Sequence, residues 1–90
     1  MSDIKLVWTT HGQILGEVTA KGDGYEVENP VFISPGGQGV SMLPVNMFSD
    51  ETKITLTKED LRFGGHLFEP ITELRNAYTQ QFGSGIQLLS

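Results

Sequence analysis

Gly12-Gln13-Ile14-Leu15-Gly16-Glu17-Val18-Thr19-Ala20, the reversal Lys21-Gly22-Asp23-Gly24, and Tyr25-Glu26-Val27-Glu28-Asn29-Pro30-Val31-Phe32-Ile33 decide the fold of this 90-residue chain. Side chains on an extended backbone alternate between two faces, so Ile14, Gly16, Val18 and Ala20 share one face and Gln13, Leu15, Glu17 and Thr19 the other. The four turn residues tolerate positive φ, which predicts a tight reversal into a third strand. That strand carries Tyr25, Val27, Asn29, Val31 and Ile33 on one face and Glu26, Glu28, Pro30 and Phe32 on the other. Gly16 has no side chain to pack, which marks a strong bend or a close backbone approach. Pro30 cannot donate to a ladder and belongs at an edge or a bulge.

Upstream, Ile4, Leu6 and Trp8 alternate with Lys5, Val7 and Thr9 in a first strand, and His11-Gly12 turns it into an antiparallel hairpin. Downstream, residues 34–39, reading SPGGQG, predict a flexible loop. Residues 40–48 follow as a strand that Pro44 bends or confines to an edge. After an acidic turn, Ser49-Asp50-Glu51-Thr52, a fifth strand is built on Ile54 and Leu56 and closed by Lys58-Glu59-Asp60. The expected order is a five-strand meander. From residue 70 the period changes: Ile71, Leu74, Ala77, Tyr78 and Phe82 recur at helical spacing, Pro70 suits a first turn and Gly83 a stop, giving a helix over residues 70–82. Its apolar face must dock on the sheet or on a neighbouring copy. The tail Ile86-Gln87-Leu88-Leu89 is apolar enough to add a strand or cover an edge. The expectation is a mostly β protein, a strongly bent five-stranded antiparallel barrel over residues 1–63 with a C-terminal helix and tail over 64–90, forming one domain.

Hydrophobic residues make up 38% of the chain and charged residues 19%, the balance of a folded globular domain. A domain this small buries only about 60% of the surface its unfolded chain exposes, so association between copies is expected. The net charge of −5 repels a phosphate backbone at long range, so nucleic-acid contact would need a local patch. No cysteine is present, which excludes disulfides and thiolate metal sites. With no charged-then-apolar leader and no run of the ~18 apolar residues a membrane span needs, a cytoplasmic protein with no membrane partner is expected.

Catalytic patterns are missing. His11 and His66 stand in no spacing that would put two ligands on one helical face. No GxSxG elbow frames a serine. Glu26 and Glu28, two apart on a strand, line one solvated face. Gly36-Gly37, Gly64-Gly65 and Gly22-Asp23-Gly24 lack the strand-to-helix setting of a phosphate cradle. The expectation is a protein that is not an enzyme and takes no cofactor or metal. Two classes of function remain: a nucleic-acid-associated protein, with Lys21, Lys53 and Lys58 near turns, and a structural or protein-binding one, with Phe68, Tyr78 and Phe82 near the C-terminus.

The stretch His11-Gly12-Gln13-Ile14-Leu15-Gly16-Glu17-Val18, followed by residues 25–33 with Asn29, resembles the first motif of Sm-like (LSm-type) proteins. The whole chain looks like small Sm-like proteins of phages that infect marine cyanobacteria, found in ocean metagenomes. The resemblance covers roughly residues 4–61. It implies a homo-oligomeric ring of roughly five to seven copies closed by strand pairing between neighbours, located in the host cytoplasm if phage-encoded. It also implies an RNA-associated role in which single-stranded RNA meets Asn29 as the hydrogen-bonding residue, Val27 at the stacking position and Tyr25 in place of the family's aspartate. The family's second motif, an isoleucine-arginine-glycine run, is not present in this sequence. The alternative the resemblance leaves open is a ring that binds phage or host protein and has lost the RNA pocket.

Overall fold

The computed structural model describes residues 3–36 and 39–83. Six strands, β1 (Asp3–Thr9), β2 (Gly12–Lys21), β3 (Gly24–Gly36), β4 (Gly39–Pro44), β5 (Lys53–Leu56) and β6 (Leu67–Phe68), precede a helix, α1 (Thr72–Tyr78), whose last residues loosen into a π turn, Thr79–Gly83. Every pairing is antiparallel, in the order β4-β3-β2-β1-β6, with β5 also paired to β3. The result is the strongly curled, barrel-like sheet with a C-terminal helix that the alternation predicts.

The curl originates where β2 meets β3. Register passes from Leu15 opposite Val31 to Glu17 opposite Glu28, so Asn29 and Pro30 together oppose the single residue Gly16. This is a β-bulge, which bends a strand and sharpens its twist. Asn29 takes the left-handed conformation, φ 51°. A Cβ at position 16 would lie 2.4 Å from Val27 Cγ1 and 3.0 Å from the Glu28 carbonyl oxygen, so the close approach admits only glycine. Pro30, with no N–H to lose, sits in the bulge, and its carbonyl accepts the Val45 N–H at 2.9 Å. On either side of the bend β3 finds different partners: Tyr25 to Glu28 pair with β5, and Val31 to Gly36 pair with β4.

The bulge also reverses the side-chain phase, which the uniform two-residue period misses. Tyr25 and Val27 point into the barrel, where Val7, Ile14, Val18, Val27 and Leu56 form one core with Phe32 against it. Beyond Asn29, Val31 and Ile33 face the opposite side, where Leu15, Val31, Leu74 and Tyr78 form a second core flanked by Ile4, Leu6, Met42 and Phe82. The helix therefore docks on its own barrel, covering the outer face that Ile4 and Leu6 begin. Tyr78 is its anchor: 1% exposed, its hydroxyl donates to the Glu28 and Asn29 carbonyls at 3.1 and 2.8 Å, satisfying oxygens at the bulge. Burial, with the charges of Glu17 and Glu28, pushes the hydroxyl pKa far above its ordinary value, so it stays a neutral donor.

Five expectations are corrected. The meander breaks after β4: β5 returns to β3, because β4 already occupies only the far half of that long strand. A sixth strand, β6, pairs with β1 through Leu6–Phe68 and Val7–Leu67, so the sheet runs past residue 63 into the segment expected to hold only helix and tail. Residues 34–36 and 39 belong to paired strands instead of a loop, since Gly36 pairs with Gly39. The strand over 40–48 stops at Pro44, where the missing donor ends the ladder, and residues 45–48 turn. The helix is shorter than residues 70–82: Ile71 remains extended, φ −65° and ψ 157°, and Glu69 just before it is tied to Lys5 of β1 and to Arg75 of α1. The apolar tail at 86–89 lies outside the described residues. Among those residues no helix is long and apolar enough to cross a membrane.

Candidate functional site

Tyr25, Val27 and Asn29 follow one another along β3, but the strand does not present them together. Val27 is wholly buried in the barrel core, so no face of it is open to a base. Tyr25 is half-buried, and its hydroxyl donates to the Gly65 carbonyl at 2.7 Å, which ties β3 to the turn before β6. Asn29 is half-buried at the bulge. Its N–H donates to the Thr52 carbonyl at 2.6 Å, and its carbonyl accepts from Tyr78. Its side chain borders a cleft of about 180 Å³ with Pro30, Pro44, Asn46, Glu51 and Phe82. The stacking role assigned to Val27 is corrected by its burial: the inward phase of β3 before the bulge consumes that side chain in packing.

The turn lysines are likewise engaged. Lys21 lies 3.4 Å from Glu26, and Lys53 lies 3.8 Å from both Glu26 and Glu28, across the β3–β5 pair. Lys5 and Arg75 share Glu69. Lys58 and Arg62 alone have no carboxylate partner among the described residues. Of the C-terminal aromatics, Tyr78 is core, and Phe68 and Phe82 are half-buried.

Two surfaces remain that the residue pattern did not single out. The first is the β4 margin. Val40 and Leu43 are 51% and 50% exposed, and in the turn that follows Met47 is 44% and Phe48 99% exposed, the last at φ 71°. β4 ends the strand order and pairs with β3 alone among the described strands. Alternation showed that these residues were apolar but not that their strand would be an edge.

The second surface lies at the other end of the sheet, between the β1–β2 turn and the turn before β6. Trp8, Thr9, Thr10, His11, Gly12, Arg62 and Phe63 line an open groove of about 490 Å³. The Arg62 N–H donates to the Trp8 carbonyl at 2.9 Å, which fixes the two turns against each other. Phe63 and Trp8 meet edge to face, centroids 6.2 Å apart at 75°. No family model matches the chain, and no curated protein matches it either.

Proposed function

We propose that the chain is a self-assembling subunit of Sm-like type, which closes a homo-oligomeric ring through its sheet margins and serves as a structural or protein-binding scaffold. One observation carries this reading: an edge strand whose hydrogen-bonding groups face outward is bordered by exposed Val40, Leu43, Met47 and Phe48. An open apolar edge templates pairing with another strand, and proteins that do not use such an edge blunt it with charge, proline or a cover. β4 carries no charged residue, and its one proline, Pro44, stands at the last position of the strand. Phe48 adds a fully exposed ring held in a backbone conformation that costs a non-glycine residue about 1–3 kcal/mol, an arrangement that suits an anchor for a partner surface. The scaffold reading is favoured over RNA held on Tyr25, Val27 and Asn29, because Val27 is buried, the Tyr25 hydroxyl is bonded to the Gly65 carbonyl, the Asn29 backbone is held in the bulge and the neighbouring lysines Lys21 and Lys53 are paired.

Light scattering tests it. The expected mass is several times the 9.9 kDa of one chain. The double substitution Leu43→Glu, Phe48→Glu, at exposed positions that leave both cores intact, should return a folded monomer. A wild-type monomer at every concentration would exclude the assembly.

A further inference from the structure

The geometry points to the Trp8–Phe63 groove as a nucleotide site, a place for a planar heteroaromatic ring that bears a phosphate. The inference is argued from residues other than Val40, Leu43, Met47 and Phe48, which carry the assembly proposed above, and the light-scattering mass of the groove variants tells the two apart.

Three observations converge there. Phe63 is 68% exposed yet sits at φ 57°, a left-handed conformation that a bulky residue adopts only under constraint. Gly64 and Gly65, at φ 65° and 78°, continue the same turn at positions where glycine is free of that strain. The sequence thus places a large aromatic ring at the one strained position of a turn otherwise made of glycine, and the ring buries little. Its effect is to stand an open π face beside Trp8, itself 37% exposed. The aromatic row continues outward: Phe63 meets Phe68 edge to face at 6.4 Å, and Phe68 meets His66 at 4.5 Å.

The charge beside these rings is positive. Arg62, adjacent to Phe63 and lining the groove, has no carboxylate partner among the described residues, in a chain where Lys5, Lys21, Lys53 and Arg75 all pair with acids. His11 also lines the groove. Asp60, two residues before Arg62 and close enough for its charge to act on His11, accepts hydrogen bonds from the Thr57 N–H and hydroxyl at 2.9 and 3.0 Å. A free guanidinium matches phosphate with two parallel hydrogen bonds, and an exposed aromatic face stacks any base. A cationic ligand, which the rings alone would accept, is repelled by Arg62. An apolar ligand without charge leaves Arg62 unused. The volume lies within the range of small-ligand sites.

Trp8 is the only tryptophan, so its fluorescence reports the groove directly. Adenosine 5′-monophosphate titrated into the full chain at low salt should quench it saturably. Adenosine without the phosphate, and the Arg62→Ala variant with the phosphate, should each bind at least tenfold more weakly. Phe63→Gly keeps the left-handed turn and removes the ring; it should abolish quenching without lowering the melting temperature and leave the light-scattering mass unchanged. Octa-adenylate distinguishes the sources of the ligand: a midpoint at least tenfold below that of the mononucleotide assigns the groove to a single strand, and an equal or higher one to a free nucleotide. Absence of quenching by both probes would overturn the proposal. So would equal binding of adenosine and its monophosphate, or a Phe63→Gly chain that melts earlier, which would make the ring structural packing.

Discussion

At position 16 a missing methyl group shapes the molecule. Gly16 lets β3 cross within contact distance, and Asn29 and Pro30 absorb the extra residue that the crossing demands. Gly16→Ala should destabilise the fold by about 1–3 kcal/mol through overpacking against Val27 and the Glu28 carbonyl, read as a lower urea midpoint. Tyr78→Phe keeps the ring in the second core but strands two carbonyls at the bulge; a loss of about 1–3 kcal/mol with the near-ultraviolet spectrum otherwise retained is expected. Gly16 and Pro30 were readable as a bend and a bulge, because one lacks a side chain and the other a donor. The left-handed Asn29 was not, since asparagine is equally at home in an extended strand, and so the phase reversal that buries Val27 and turns Val31 toward the helix escaped a uniform period of two.

Among elements, one exposed carboxylate ties sheet to helix beside the buried contact of Leu74 and Tyr78. Glu69 receives a hydrogen bond from Lys5 of β1 and another from Arg75 of α1, and the Lys5 bond, more than the surrounding charges, holds its pKa below the ordinary 4.5. Asp60 is lowered from 3.8 by the Thr57 backbone and side-chain hydrogen bonds. A carboxylate whose pKa is lower folded than unfolded contributes stability that is complete above the unfolded value and vanishes as the pH falls through the folded one. The melting temperature should therefore hold from pH 7 to about 5 and drop below pH 4.5, and Glu69→Gln should flatten that acid limb while lowering the plateau slightly. Melts followed by circular dichroism between pH 7 and 2.5 check this, and an unchanged acid limb in the variant would remove Glu69 from the account. The helix itself was readable from Leu74 and Tyr78 at spacing four. Its start was not, because Pro70 suits a first turn equally well as it suits the extended segment that Glu69 anchors. Two-residue β6 gave no periodic signal at all; only the curl of the sheet brings Leu67 and Phe68 to β1.

For the whole molecule, alternation and turn residues were enough to announce a small curled antiparallel sheet ending in a helix, since both depend on local geometry. The candidate surfaces were less accessible. Exposure at β4 follows from strand order, and the meeting of Trp8 with Phe63 joins residues 55 positions apart, so neither has a local signature. Sheet and helix close two cores but leave the β4 margin open, and the central claim is that a second copy completes it. Hydrogen exchange at the amides between Val40 and Leu43 that point away from β3, measured at two chain concentrations a hundredfold apart, tests this most directly. Protection that rises with concentration, and disappears in the Leu43→Glu, Phe48→Glu chain, is the expected result; rapid exchange at both concentrations in the wild-type chain would contradict it.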